Sequence, residues 1–213
     1  MAFHAVLFDW GDTLFYSPSG VAILVSAGVA PPLAERVWQE IWQASKTAPE
    51  LARHRDVSVA AHRAAWIPLF QRAERYAPGI AEVLYERVLQ PTGWTPYPDA
   101  LPVLRQLHAR GTKVGVVSNV PAPLRPVFQR HGLDAYVQGY TESYRHGREK
   151  PDPELFRIAC RQLDVPPAAA LMVGDSPLTD GGAVEAGLTT LLLPSVAPGE
   201  PRRLERVLAL LPS

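Results

Sequence analysis

The chain has 213 residues, 47% of them apolar and 20% charged, and its 21 basic residues balance 21 acidic ones. That makeup supports a globular core with room for a modest insertion, and the zero net charge excludes bulk attraction to nucleic acid or an anionic membrane surface. No apolar stretch approaches the roughly eighteen residues that span a bilayer, and Asp9 and Asp12 interrupt any cleavable N-terminal leader, so a cytoplasmic protein is expected.

The first predicted strand covers about residues 4–9, where Ala5-Val6-Leu7-Phe8 runs into Asp9-Trp10-Gly11-Asp12-Thr13. From about 17 to 92 no convincing strand appears. Val37, Trp38, Ile41 and Trp42 recur at helical spacing, as do Val83, Leu84, Val88 and Leu89. The stretch 58–77 also predicts helix, kinked or split at Pro68, and Pro31, Pro49 and Pro78 mark starts and stops. Such a segment suits a small helical bundle, with Trp94-Thr95-Pro96-Tyr97-Pro98 as a stiff return linker. Trp38 and Trp42, on neighbouring turns, are expected in the core of that bundle, and Arg53-His54-Arg55 as a solvated charge run.

Beyond residue 99 the rhythm becomes alternating helix and strand. Asp99 is placed to cap a helix through Arg110 that Gly111 ends, followed by a strand over 113–118 and a helix over 123–131 ended by Gly132. A weaker strand over 135–140, a helix from Pro153 to about Leu163, a strand over 170–174, a helix over 178–186, a strand over 188–193 and a last helix from about 202 complete the set. Alternation of this kind predicts a doubly wound parallel α/β sheet with helices on both faces. The expected division is a Rossmann-like core of residues 1–16 and 95–213, with an all-helical cap inserted over 17–94. The lone cysteine, Cys160, lies in a helical pattern and is expected as a small buried apolar residue.

Three of the apolar strands stop on polar clusters: Asp9 to Thr13, Ser118-Asn119, and Gly174-Asp175-Ser176. Parallel strands buried on both faces look like this, and ligands bind beyond their carboxyl ends, so one shared site is predicted. The chain has 18 Arg but only three Lys, and Asn119 is its single asparagine, which draws attention to Lys150 and Asn119. Each cluster alone has a bland alternative. Asp9 or Asp12 serves as a turn former, Ser118-Asn119 as a strand-end turn, Lys150 as a solvated charge, and Asp175 to Asp180 as a helix start.

In order along the chain, however, the aspartate-threonine turn, the Ser-Asn strand end, Lys150-Pro151-Asp152-Pro153 and Gly174-Asp175-Ser176 with Asp180 resemble the haloacid dehalogenase superfamily, in its branch with a helical cap after the first strand. The resemblance covers nearly the whole chain. It implies a phosphatase-like hydrolase acting on a small phosphorylated metabolite, with Mg²⁺ as cofactor, no nucleic-acid or membrane partner, and a monomer or homodimer. Asp9 would attack phosphorus and carry an aspartyl phosphate. Asp9, Asp175 and the Gly11 carbonyl would hold the metal in an oxygen-rich shell. Thr13, Ser118, Asn119 and Lys150 would bind the phosphate, and Asp180 would orient Lys150 or a metal-bound water.

One departure stands out. Such phosphatases carry a second aspartate two residues after the nucleophile as general acid and base, and here that position is Gly11, with the carboxylate one residue later at Asp12. Either Asp12 replaces the acid, or a cap residue or water does, or turnover of ordinary alcohol phosphates is slow. The same resemblance leaves a metal-free dehalogenase as an alternative, against which Asp175 argues, and also a catalytically weakened binding or regulatory protein. A phosphoacceptor signalling domain shares the Asp, hydroxyl and Lys set but lacks a helical insert of this size.

Overall fold

A computed structural model describes residues 3–90, 93–194 and 196–211. Residues 91 and 92 of the expected insert, and the terminal residues of the expected core, lie outside that description. Strand β1 (Ala5–Phe8) is followed by a short β2 (Phe15–Tyr16) and helices α1 (Gly20–Ser26), α2 (Pro31–Ser45), α3 (Ala48–Leu51), α4 (Val59–Phe70) and α5 (Ile80–Leu84). The chain returns through β3 (Thr95–Pro96) and continues as α6 (Ala100–Ala109), β4 (Lys113–Ser118), α7 (Arg125–Arg130), β5 (Gly139–Glu142), α8 (Ser143–His146), α9 (Pro153–Gln162), β6 (Ala170–Gly174), β7 (Thr189–Leu192) and α10 (Glu205–Leu208).

Five parallel strands form the main sheet in the order β5-β4-β1-β6-β7, so β1 is central. Period-two alternation along β1 divides its side chains between two apolar layers. Val6 and Phe8 pack with Leu104, Leu107, Phe128 and Val207 of α6, α7 and α10. Ala5 and Leu7 pack on the other face with Leu155, Phe156 and Cys160 of α9. Burial pushes the Cys160 thiol up to about 11, as suits an inert core residue. The strand order reverses beside β1, between β1 and β6, and this is where a doubly wound sheet opens a crevice. Asp9 extends β1 by one hydrogen bond to the Val173 carbonyl, at 2.9 Å, and so stands at the lip of that crevice.

The inserted helices bury a separate apolar cluster that includes Leu24, Val37, Ile41, Trp66, Phe70, Leu84 and Val88. The segment joins the core through an antiparallel ladder of β2 with β3, which pairs Phe15 with Pro96 and Tyr16 with Thr95. Part of the expected irregular linker is therefore strand.

Several local expectations are corrected. Pro68 does not split its helix: it sits in the last turn of α4, where the missing N–H costs one hydrogen bond before the helix ends. Asp99 makes no side-chain cap to α6 and instead accepts from the Arg202 and Leu204 backbone N–H groups at 3.0 and 2.9 Å, tying down the C-terminal segment. The expected helix over 178–186 is a 3₁₀ stretch, Asp180–Val184, because Gly181-Gly182 disfavours α-helix and the Asp180 carboxylate is committed elsewhere. The weaker strand lies later than expected, at Gly139–Glu142, after a 3₁₀ turn over Asp134–Tyr136.

Candidate active site

The carboxyl ends of β1, β4 and β6 converge on one charged cluster. Asp9 Oδ1 accepts from Lys150 Nζ at 2.6 Å and from Ser118 Oγ at 3.2 Å. Lys150 Nζ also donates to Asp180 Oδ1 at 2.6 Å, so a single ammonium bridges two buried carboxylates. Burial opposes that charge, but the carboxylates of Asp180 and Asp9 outweigh it and hold Lys150 protonated well above the ordinary lysine range. Burial is also the largest influence on Asp9, whose carboxyl it pushes up to about 7, against the pull of Lys150 and with the push of Asp180 and Asp175.

Asn119 fixes the backbone of that lysine. Its Oδ1 accepts from Lys150 N–H at 2.7 Å and its Nδ2 donates to the Lys150 carbonyl at 3.0 Å. The side-chain amide is thus engaged by the protein on both its polar atoms. Asp180 is fully buried and acts as the hub of the floor: its second oxygen accepts from the N–H groups of Asp175 and Ser176, each at 3.0 Å, which shapes the turn after β6. Gly174 is required by this contact, since a Cβ there would lie 2.1 Å from Asp180 Oδ2.

One carboxylate oxygen from each of Asp9, Asp175 and Asp180 lies within 4.8 Å of the others. Asp180 spends both oxygens on Lys150 and the turn. Asp9 keeps Oδ2 without a donor, and among the described residues no hydrogen bond reaches the Asp175 carboxylate or the Gly11 carbonyl. Burial pushes Asp175 up to about 6, with Asp180 and Asp12 adding to it, a sign that the cluster holds more negative charge than Lys150 alone neutralises. An all-oxygen set with spare negative charge suits a hard divalent cation. Thr13 is buried, and among the described residues its Oγ1 has no hydrogen-bond partner.

Asp12 makes no hydrogen bond to this group among the described residues. Its backbone is left-handed (φ 55°), its carbonyl accepts from Arg202 Nε at 2.6 Å, and it is not among the residues that line the cavity above Asp9. The Asp12 carboxyl is largely buried, with burial raising it and Lys46 and Arg202 pulling it down, and no hydrogen bond among the described residues ties it to Asp9. Position 11 is crowded. A Cβ on Gly11 would lie 3.1 and 3.2 Å from two ring atoms of Trp94, so the indole covers the place where an acid side chain would start. Trp94 is held there by a 4.2 Å stack on Trp10 and by a 2.8 Å hydrogen bond from Nε1 to the Val88 carbonyl.

The cavity over Asp9 has a volume of about 320 Å³, and its roof comes from the insert. Trp42 and Trp66 line it, with ring centroids 6.2 Å apart, together with Val88 and Leu89. Arg55, Asp56 and His62 also line it. Arg55 lies 4.6 Å over the Trp66 ring and donates to the Ser45 carbonyl at 3.0 Å, so it is no solvated charge, whereas His54 is well exposed, as expected. Burial raises the Asp56 carboxyl to about 7 and lowers His62 to about 4, and His62 Nδ1 is 2.9 Å from the Tyr85 hydroxyl. Glu149, next to Lys150, clasps the insert: it accepts from the Asp56 N–H at 2.5 Å and meets His54 Nδ1 at 3.2 Å. Sequence reasoning missed Trp94, Asp56, His62 and Glu149 as site residues. Their neighbours gave no chemical pattern, and only Glu149 had a positional signal, beside Lys150.

The family model for haloacid dehalogenase-like hydrolases matches residues 3–187. The chain belongs to that family. In the haloacid dehalogenase-like hydrolase domain-containing protein 3 of Bos taurus, 146 residues align at 32% identity, covering 64% of this chain and 58% of that protein. The chain therefore spans somewhat over half the length of that relative. A glyceraldehyde 3-phosphate phosphatase of Methanopyrus kandleri is 30% identical over 199 residues, which is 88% of this chain and 82% of the relative. A crystal structure of a dehalogenase superposes with a TM-score of 0.75 at 20% identity, covering 99% of this chain and 98% of its own, a likeness of fold. The hydrolase family thus includes phosphatase-named relatives of this chain, and its fold serves more than one chemistry. Among the described residues no helix is long and apolar enough to cross a membrane.

Proposed function

We propose that the protein is a Mg²⁺-dependent phosphatase of small phosphorylated molecules that works through an aspartyl phosphate on Asp9. The observation that supports this most is the Asp9 carboxylate, pinned by Lys150 and Ser118 at the base of a cavity with a second unbonded carboxylate, Asp175, beside it. Asp9, the Gly11 carbonyl and Asp175 would hold the cation. Bound there, Mg²⁺ supplies positive charge that offsets repulsion between a phosphate dianion and the carboxylate and polarises a phosphoryl oxygen.

The chain's own groups do the rest. Lys150 and Ser118 orient Asp9 for in-line attack, which forms a carboxylate oxygen–phosphorus bond as the ester oxygen departs. Lys150 adds fixed positive charge, and the Thr13 hydroxyl and Asn119 N–H supply donors to the transferring group. Water then cleaves the acyl phosphate, releasing inorganic phosphate and restoring the Asp9 carboxylate. The phosphatase name of the Methanopyrus kandleri relative supports the same reading.

A panel of phosphate monoesters assayed with Mg²⁺ beside an Asp9→Asn control tests this. Phosphate release that needs both the cation and Asp9 is the expected result. Turnover of a 2-haloacid that persists in chelator, with no phosphatase activity, would replace this reading with dehalogenase chemistry, to which the missing acid at Gly11 lends its one point of support.

A further inference from the structure

Resting on the phosphatase reading above, we infer that the substrate is an aryl phosphate monoester whose leaving group is a flat aromatic ring without a second anionic group. Three observations converge on that class. The first is the acid position. Gly11 carries no carboxyl, Trp94 lies over it, and Asp12 is not among the residues that line the cavity, so the nucleophile turn offers no second aspartate there to protonate the departing oxygen. A positioned acid commonly contributes about 10² to 10⁴ in rate, and its absence penalises alkoxide leaving groups far more than phenoxides, which are stable enough to depart with little protonation.

The second is the wall. Trp42, Trp66 and Trp94 line one cavity, joined by Val88 and Leu89. Indole faces offer stacking and dispersion to a flat ring, and offer little to a short hydroxy acid. A volume of about 320 Å³ lies at the small end for a ligand site of roughly 300–1,000 Å³, which suits a phosphoryl group and a compact ring system.

The third is charge. Arg55 is the only cation that the insert brings to the cavity among the described residues. Its guanidinium is already shared between the Ser45 carbonyl, the Trp66 face and Asp56 Oδ2 at 4.0 Å. Glu149 lines the same space, and beside it lies the buried carboxyl of Asp56. A leaving group bearing its own carboxylate would therefore meet negative charge with no uncommitted positive partner, at a desolvation cost. The reaction balances as ordinary ester hydrolysis: the aryl oxygen–phosphorus bond breaks, the phenoxide gains a proton from water, and one water is consumed overall.

The test compares kcat and KM, with Mg²⁺, for phenyl and 2-naphthyl phosphate against n-butyl phosphate, phosphoglycolate and phosphoserine, each beside Asp9→Asn. The aryl esters should lead in kcat/KM by about a hundredfold or more, the scale of one missing acid. Trp42→Ala should raise KM for 2-naphthyl phosphate about three- to tenfold, the scale of one aromatic contact, while Trp42→Phe retains the wild-type KM. Equal or faster Asp9-dependent turnover of n-butyl phosphate, phosphoglycolate or phosphoserine overturns the inference and leaves the phosphatase reading standing. No Asp9-dependent turnover of any phosphate monoester removes both.

Discussion

The floor and the roof of the cavity are built on opposite principles. The floor is polar and over-determined. Lys150, Asp180, Asn119 and the turn after β6 hold one another through several short hydrogen bonds. The roof is apolar and aromatic, with its few charges paired internally or to Glu149. A charged floor with fixed geometry suits one reaction on one kind of group, since preorganised charge gains its effect by not having to move. An aromatic roof selects by shape and surface, and changes there alter what is hydrolysed more than how.

The sharpest contrast comes from cutting the floor. Lys150→Met leaves Asp9 and Asp180 facing each other without the ammonium. Turnover should fall about 10²- to 10³-fold, the scale of a lost preorganised charge. Denaturant unfolding should register a loss of about 3–5 kcal/mol, as when one partner of a buried ion pair is removed. A loss confined to KM would show that the floor binds rather than reacts.

Next, Gly11→Asp combined with Trp94→Ala should restore an acid where the roof now closes, raising kcat for n-butyl phosphate about 10²-fold or more. Gly11→Asp alone should give far less, because the new Cβ presses on the indole. Equal gains from the single and double variants would show that Trp94 does not close the position.

A smaller effect is expected at Gly174→Ala. The added methyl overlaps Asp180 Oδ2, so the unfolding midpoint should drop by an amount worth about 1–3 kcal/mol, and activity should fall with it as Asp180 releases Lys150. An unchanged midpoint would mean that the turn relaxes freely.

The contribution of the roof is visible in pH dependence. Burial raises the Asp56 carboxyl from 3.8 to about 7, so the folded state holds its proton more tightly than the unfolded chain. The stability that this contributes is fully present below about pH 3.8 and is lost as pH rises through about 7. Asp56→Asn removes that loss. Its stability relative to the wild type should therefore improve between pH 5 and pH 8, as read from thermal midpoints. A flat difference would mean that Glu149 and Arg55 already compensate Asp56 in full.

How much of this was legible beforehand differs between the two regions for the same reason. The floor's residues sit at strand ends, and strand ends are local features: an apolar run that stops on Asp9, on Ser118 or at Gly174-Asp175 announces its position in a parallel sheet. Lys150 and Asp180 gained their roles only through the family resemblance of the motifs taken in order. Misjudgements in the core were of boundaries and caps, such as Asp99, whose carboxylate is claimed by a segment some hundred residues later, and the 3₁₀ stretch at Asp180, where hydrogen bonds to the preceding turn outcompete helix formation.

By itself the amino-acid sequence pointed to the doubly wound sheet and to the strand-end residues Asp9, Ser118 and Asp175, because period, turn chemistry and strand ends are written within a few neighbouring residues. Tertiary structure alone decided that Trp94 packs on Gly11, that the Asp12 carbonyl meets Arg202, and that Trp42 and Trp66 roof the cavity while Arg55 is already spent. Those outcomes depend on how helices far apart in the chain pack against one another, and side-chain packing at that distance leaves no periodic trace.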